Sequence, residues 1–183
     1  MLNGMNNALR DVGIDSTRNI SYGGKQGSIT AAAAALGTNY SSEAVLSTVT
    51  IPAGSLAAGD IISFLVDGVV TSAAGNDTLI VRVRLGGISG AIIGSSGAAL
   101  DVTTADAHVM SGQTTMRTIG ASGTAYSYAT STLAAQTNVV STAQTSINTS
   151  ADLTVVLTAV WALSGGALAS DTYTANIFNV KIN

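Results

Sequence analysis

The chain has no cysteine, one proline, one histidine and few charges. Without cysteine there is no disulfide framework and no thiolate metal site. The single proline, Pro52, leaves nearly all the chain free to donate to hydrogen-bonded ladders. Charged residues make up 9% and aromatics 4%, against roughly 25% charged in ordinary soluble domains. A folded form would therefore be covered by hydroxyls and small side chains. Charge depletion of that kind fits a harsh extracellular setting or, as the favoured reading, a surface much of which meets other subunits. Seven basic and ten acidic residues give a net charge of −3, so the basic footprint of a nucleic-acid binder is missing. The first residues lack the basic start and apolar core of a secretory signal. No apolar run approaches the roughly 20 residues needed to cross a bilayer.

What is present is alternation with period two, clearest from Thr48 to Gly87. Ile62, Phe64, Val66, Gly68 and Val70 share one face of a strand, while Ile61, Ser63, Leu65, Asp67 and Val69 form a mixed face. In Thr78–Leu85, Leu79, Val81, Val83 and Leu85 are the apolar set, and Arg82 and Arg84 lie opposite with Ile80. β-Branched residues dominate both runs and favour sheet. Gly75-Asn76-Asp77 between them predicts a hairpin turn, and Ile51-Pro52-Ala53-Gly54 ends an earlier strand. The stretch reads as the opening of a β-meander.

The same alternation continues downstream. Strands are expected at Ala44–Ile51, around Gly90–Gly94, from His108 to Ile119, over Thr124–Ser131, over Leu153–Leu163 and over Thr172–Ile182. Thr132–Ser150 holds either a weak strand near Asn138–Thr142 or a long polar loop. About eight strands with no alternating helices predict an all-β, antiparallel β-sandwich of jelly-roll or related type over residues 43–183. Its second wall is expected to include Leu153–Leu163, and the last strand to lie beside an early one.

Residues 1–42 differ from this body and are expected to form an N-terminal arm. Leu2, Met5, Leu9 and Val12 make a short helical stripe, too short to stand without a partner surface; a frayed, extended arm is the alternative. Arg10, Arg18 and Lys25 put three of the seven basic side chains in this segment. Gly24-Lys25 is no phosphate loop, because Gln26 follows where Ser or Thr is required and no strand precedes it.

No motif nominates a catalytic or metal site, no cofactor is implied, and the chain is expected not to be an enzyme. His108 has no Gly-x-Ser-x-Gly elbow to serve, and is expected to be structural or superficial. Asp60, Asp67, Asp77, Asp101, Asp106, Asp152 and Asp171 are scattered, mostly at predicted strand ends where Asp caps turns. Arg82 and Arg84 are expected to face solvent or a neighbouring subunit and to pair with Asp. Ile61, Leu65 and Val69 are candidate subunit contacts. Tyr126 and Tyr128, two residues apart on one strand face, are either a cross-strand packing pair or a glycan contact.

The succession Val49-Thr50-Ile51-Pro52-Ala53-Gly54-Ser55-Leu56-Ala57-Ala58-Gly59-Asp60-Ile61, then an Asn/Asp turn, then Thr78-Leu79-Ile80-Val81-Arg82-Val83-Arg84-Leu85-Gly86-Gly87, resembles β-rich virion proteins of tailed bacteriophages. Capsid decoration (cement) proteins and head or tail fibre segments are built in this style. The resemblance implies a jelly-roll homotrimer on the outer surface of the capsid, made in the host cytoplasm. It also implies attachment to the major capsid protein through the arm, with Leu2, Met5, Leu9, Val12, Arg10, Arg18 and Lys25 as the attachment residues. Neither nucleic acid nor membrane is an implied partner. A fibre or spike protein and, from another class, a carbohydrate-binding module using Tyr126 and Tyr128 are the alternatives.

Overall fold

The computed structural model describes residues 42–71, 78–97, 100–101, 106–134, 136–162 and 172–183. The expected arm over 1–42 lies, apart from Ser42, outside the described residues. Within them the chain is all-β and antiparallel. Its strands are β1 (Ala44–Ile51), β2 (Ile61–Thr71), β3 (Thr78–Leu85), β4 (Ala91–Ser95), β5 (Leu100–Asp101), β6 (Asp106–Thr118), β7 (Gly123–Leu133), β8 (Gln136–Ile147), β9 (Leu153–Ala162) and β10 (Thr172–Ile182). They form two sheets, ordered β1-β9-β3-β4, with β5 pairing the start of β3, and β10-β2-β6-β7-β8. This is the expected antiparallel β-sandwich, and β10 does lie beside the early strand β2.

The sandwich forms because each sheet offers one apolar face. Ile62, Phe64, Val66 and Val70 of β2 are buried, as are Leu79, Val81, Val83 and Leu85 of β3. From β9, Leu153, Val155, Leu157, Ala159 and Trp161 fill the same core. Two sheets whose inner faces interdigitate in this way sit about 10 Å apart.

The expected meander opening is corrected. β2 pairs with β10 and β6, whereas β3 pairs with β9, β4 and β5, so β2 and β3 belong to opposite sheets. β1 likewise pairs with β9 rather than β2. The hairpin residues Gly75, Asn76 and Asp77 lie outside the described residues. A tight hairpin needs two connecting residues. The apolar faces of β2 and β3 instead meet in one core from opposite sheets. The polar stretch after Thr132 resolves as a full strand, β8, whose outward Thr and Ser side chains hide its periodicity.

One aromatic ring ties the two walls together. A Cβ at Gly112 would stand 2.4 Å from Cζ of Phe64 and 2.6 Å from Cβ of Ala129; one at Gly94 would stand 2.7 Å from the same Cζ. Gly112 is the neighbour of Phe64 across the β2/β6 ladder, and Gly94 belongs to β4 in the facing sheet. The ring therefore occupies volume that two glycines leave open, one from each wall. Two side-chain amides of β8 add polar ties to β4: Asn138 Nδ2 donates to the Ser95 carbonyl at 3.0 Å and Gln144 Nε2 to the Ile92 carbonyl at 2.8 Å.

Gly112→Ala should therefore cost about 1–3 kcal/mol through overpacking, read as a fall of several degrees in thermal midpoint. Adding Phe64→Leu should recover part of that loss, because the two sites share one volume. A Gly112→Ala protein as stable as the parent would contradict this packing.

Candidate functional site

Three polar constellations stand out among the described residues, and they differ in accessibility. The first is sealed in the core. His108, on β6, has Nδ1 at 2.8 Å from the Tyr173 hydroxyl and Nε2 at 3.1 Å from Ser131 Oγ. Tyr173 donating to Nδ1 and Nε2–H donating to Ser131 satisfies every partner with a neutral ring. Burial pushes the imidazole down to about 4, against the opposing influence of Asp67. Burial, reinforced by Asp67, pushes the Tyr173 phenol well above its ordinary value. Gly68 makes room for this phenol, since a Cβ there would lie 2.7 Å from the Tyr173 hydroxyl. His108 is fully buried and Ser131 nearly so. The Ser–His contact therefore offers no access to a substrate and serves as a hydrogen-bonded part of the core.

The second constellation fastens the outer side of the four-stranded wall. Arg84 grips Glu43 through two parallel bonds, Nε to Oε1 and Nη2 to Oε2, both 2.7 Å. Arg82 Nη1 reaches Oε2 at 2.9 Å, and the Thr158 hydroxyl donates to Oε1. Arg84 Nη1 also donates to the Gly90 carbonyl at 2.9 Å. The expectation that Arg82 and Arg84 face solvent or a neighbour and pair with Asp is corrected. They pair with Glu43 of the same chain, and all three side chains are mostly covered. The reason is register: Arg82 lies opposite Thr158, and Arg84 follows on the same face of β3. Glu43, one residue before β1, reaches across β9 to both. Burial pushes the Glu43 carboxyl up, but the bonds from Arg84 and Thr158 and the two guanidinium charges outweigh it and hold it below the ordinary glutamate value.

The third is the outer face of the five-stranded sheet, and it is open. The ladder registers order its side chains. Across β10, β2, β6, β7 and β8, one row reads Ile177, Asp67, Val109, Thr132, Thr137. The next reads Asn179, Leu65, Ser111, Thr130, Val139, and the third Lys181, Ser63, Gln113, Tyr128, Ser141. The face thus divides. On its β10-β2-β6 side, Leu65, Val69, Val109 and Ile177 surround Asp67 and are 37% to 45% exposed. Asp67 accepts a bond from Asn176 Nδ2 at 3.3 Å. On its β7-β8 side the exposed residues are mostly Thr and Ser, together with Tyr126, Tyr128 and Val139.

Of the expected subunit contacts, Leu65 and Val69 are exposed and Ile61 is half-buried, all three on this face. Val109 and Ile177 complete the aliphatic ring and escaped the sequence reading. Ile177 was hidden by a bulge between Ala175 and Ile177, which turns it outward while Phe178 points in. The adjacent apolar pair Ile177-Phe178 is the signal that could have shown it. Tyr126 and Tyr128, 38% and 53% exposed, share the open face, and the Tyr126 hydroxyl bonds Ser141 Oγ on the neighbouring strand β8. The expected attachment residues Leu2, Met5, Leu9, Val12, Arg10, Arg18 and Lys25 lie outside the described residues. Among the described residues, no three His, Cys, Asp or Glu side chains stand together as a metal site would need.

No family model matches the chain, and no curated protein matches it in sequence. Among solved structures it is similar to the CBM2 module of the evolved Dit of Lactobacillus casei BL23 phage J-1. That alignment has 14% identity and a TM-score of 0.30, covering 74% of this chain and 68% of that one. At that level nothing of the module's role transfers.

Acid should weaken the sandwich in two stages. His108 is neutral when folded down to about pH 4, whereas unfolded histidine takes a proton near 6.5. The stabilisation is complete above pH 6.5 and is lost as pH falls towards 4, by roughly 3 kcal/mol. Glu43, with its lowered value, adds a further loss below the ordinary glutamate range. Urea midpoints measured from pH 7.5 to 3.5 should show both, and His108→Gln should flatten the upper stage. A midpoint constant from pH 7 to 4 would contradict the sealed, neutral imidazole.

Proposed function

We propose that this chain is a non-enzymatic virion structural protein, a capsid decoration protein that trimerises through its β-sandwich. In this reading it attaches to the major capsid protein on the outside of the particle through residues 1–42. The observation that carries the reading is the aliphatic half of the open face. Leu65, Val69, Val109 and Ile177 form a contiguous exposed ring on rigid strands. Covering their exposed parts would contribute about 5 kcal/mol per protomer before the cost of association. The ring encloses Asp67, so a cationic group from a second copy would be shielded from water by aliphatic neighbours. Support also comes from the depleted surface charge and from the likeness of the Thr48–Gly87 phrasing to phage virion proteins. Three linked arms would raise avidity for the capsid far above that of one.

Sedimentation of the full chain at micromolar concentration should give a trimer. Leu65→Lys or Val109→Lys should shift it to monomer while leaving the thermal midpoint nearly unchanged, because both side chains are exposed. A monomer at that concentration contradicts the association. For attachment, the full chain carrying Leu2→Asp, Met5→Asp and Leu9→Asp should lose co-sedimentation with undecorated capsids, and undiminished binding would overturn the role of the arm.

A further inference from the structure

The β7-β8 half of the same face has a different chemistry, and it does not depend on the association just described. Gly123–Leu133 and Gln136–Ile147 contain no charged residue. Their outward positions carry Thr124, Tyr126, Tyr128, Thr130, Thr132, Thr137 and Ser141, with Val139, 54% exposed, as a lone large aliphatic beside Thr130. Most of this surface gains little by meeting another protein, since its hydroxyls are already hydrated. A ligand made of hydroxyls can replace that water bond for bond.

The two tyrosines are not equivalent. Tyr126 is immobilised: its hydroxyl bonds Ser141 Oγ at 2.6 Å, and the Arg117 guanidinium carbon lies 5.1 Å from the centroid of its ring. A guanidinium at that distance is held by the ring's negative face and occupies it. Tyr128 is the more exposed of the two, at 53% against 38% for Tyr126. In the ladder it stands between Gln113 on β6 and Ser141 on β8, with Cβ separations of about 4.5–5.5 Å expected for such neighbours. An aromatic plane is thus flanked on one side by an amide and on the other by a hydroxyl. The flat apolar side of a pyranose ring fits against the plane, and its equatorial hydroxyls fit the flanks. A few polar groups fixing the orientation of a body held by apolar contact is the usual economy of small-ligand recognition.

We propose that this half of the face is a carbohydrate-binding platform for a neutral glycan chain. Tyr128 is the stacking ring, Gln113 and Ser141 are its hydrogen-bonding flanks, and Tyr126 is a fixed wall braced by Arg117. β7 and β8 carry no charge and the Arg117 guanidinium of β6 is engaged over the Tyr126 ring, which favours an uncharged polyol over an acidic or basic ligand. Exposed sheet faces are rigid, so the platform is organised before the sugar arrives.

The test is isothermal titration of the full chain with cellohexaose, chitohexaose, laminarihexaose and maltohexaose, alongside Tyr128→Ala, Gln113→Ala and Leu65→Lys. At least one hexasaccharide should bind with a micromolar to millimolar constant. Tyr128→Ala should weaken it at least tenfold and Gln113→Ala severalfold, while the thermal midpoint holds because both side chains are exposed. Leu65→Lys should leave sugar binding intact while abolishing association, so failure of the trimer and failure of the platform are read separately. No binding by any of the four sugars at millimolar concentration overturns the proposal, as does binding that survives Tyr128→Ala. If no sugar binds and Tyr128→Ala instead changes sedimentation, the face is a contact between copies.

Discussion

Phe64 is the point on which the two walls depend. Its ring spans the space between a β6 glycine in its own sheet and a β4 glycine in the facing one. Around it Ile62, Val66, Leu79, Val81, Val83 and Leu157 are fully buried, together with the rings of Trp161, Tyr173 and Phe178. With 4% aromatics, the chain places several of them in an interior otherwise built of β-branched, leucine and methionine side chains. Dense interiors tolerate changes of volume poorly. The buried His108–Tyr173–Ser131 network sits within this core. Its hydrogen bonds offset the cost of burying it while the ring is neutral, and it becomes a liability when acid forces a proton into it.

The two outer faces meet water in opposite ways. The four-stranded wall is fastened on its outer side by Glu43, Arg82, Arg84 and Thr158, which gather three of the body's twelve charged side chains into one cluster. Val156, also on that side of β9, is buried. The five-stranded sheet carries no such covering. Its face carries Asp67, Arg117 and Lys181 and is divided along β6 into an aliphatic side and a hydroxyl side. One face of one sheet can thus present two surfaces of different chemistry without any loop taking part.

Much of this was legible in the sequence, for a physical reason. Strands with one buried face write period two into the chain, so β2, β3, β9 and β10 are read almost to the residue from Ile62, Leu79, Leu153 and Tyr173 onward. β8 was not, because its outward Thr and Ser and half-buried Val140 blur the alternation. Pairing was not legible either. Alternation says which residues face inward but not which wall a strand joins, and so β2 and β3 read as a hairpin. The partner of Arg82 and Arg84 was missed because Glu43 is 39 and 41 residues away and meets them only through the β1-β9-β3 order. Leu65 and Val69 were found as candidate contacts because they share the outward parity of β2. Val109 and Ile177 come from other strands, one of them bulged, and only register brings them alongside.

The central claim is that the outer face of the β10-β2-β6-β7-β8 sheet is the working surface. Methyl NMR of the full chain and of its Leu65→Lys variant, with a soluble paramagnetic agent added, tests it most directly. In the parent the methyls of Val69, Val109 and Ile177 should be shielded from the agent and in the variant broadened by it, while those of exposed Val45 on the opposite wall are broadened in both. If the three methyls are equally broadened in parent and variant, or if Val45 alone is shielded in the parent, the working surface is elsewhere.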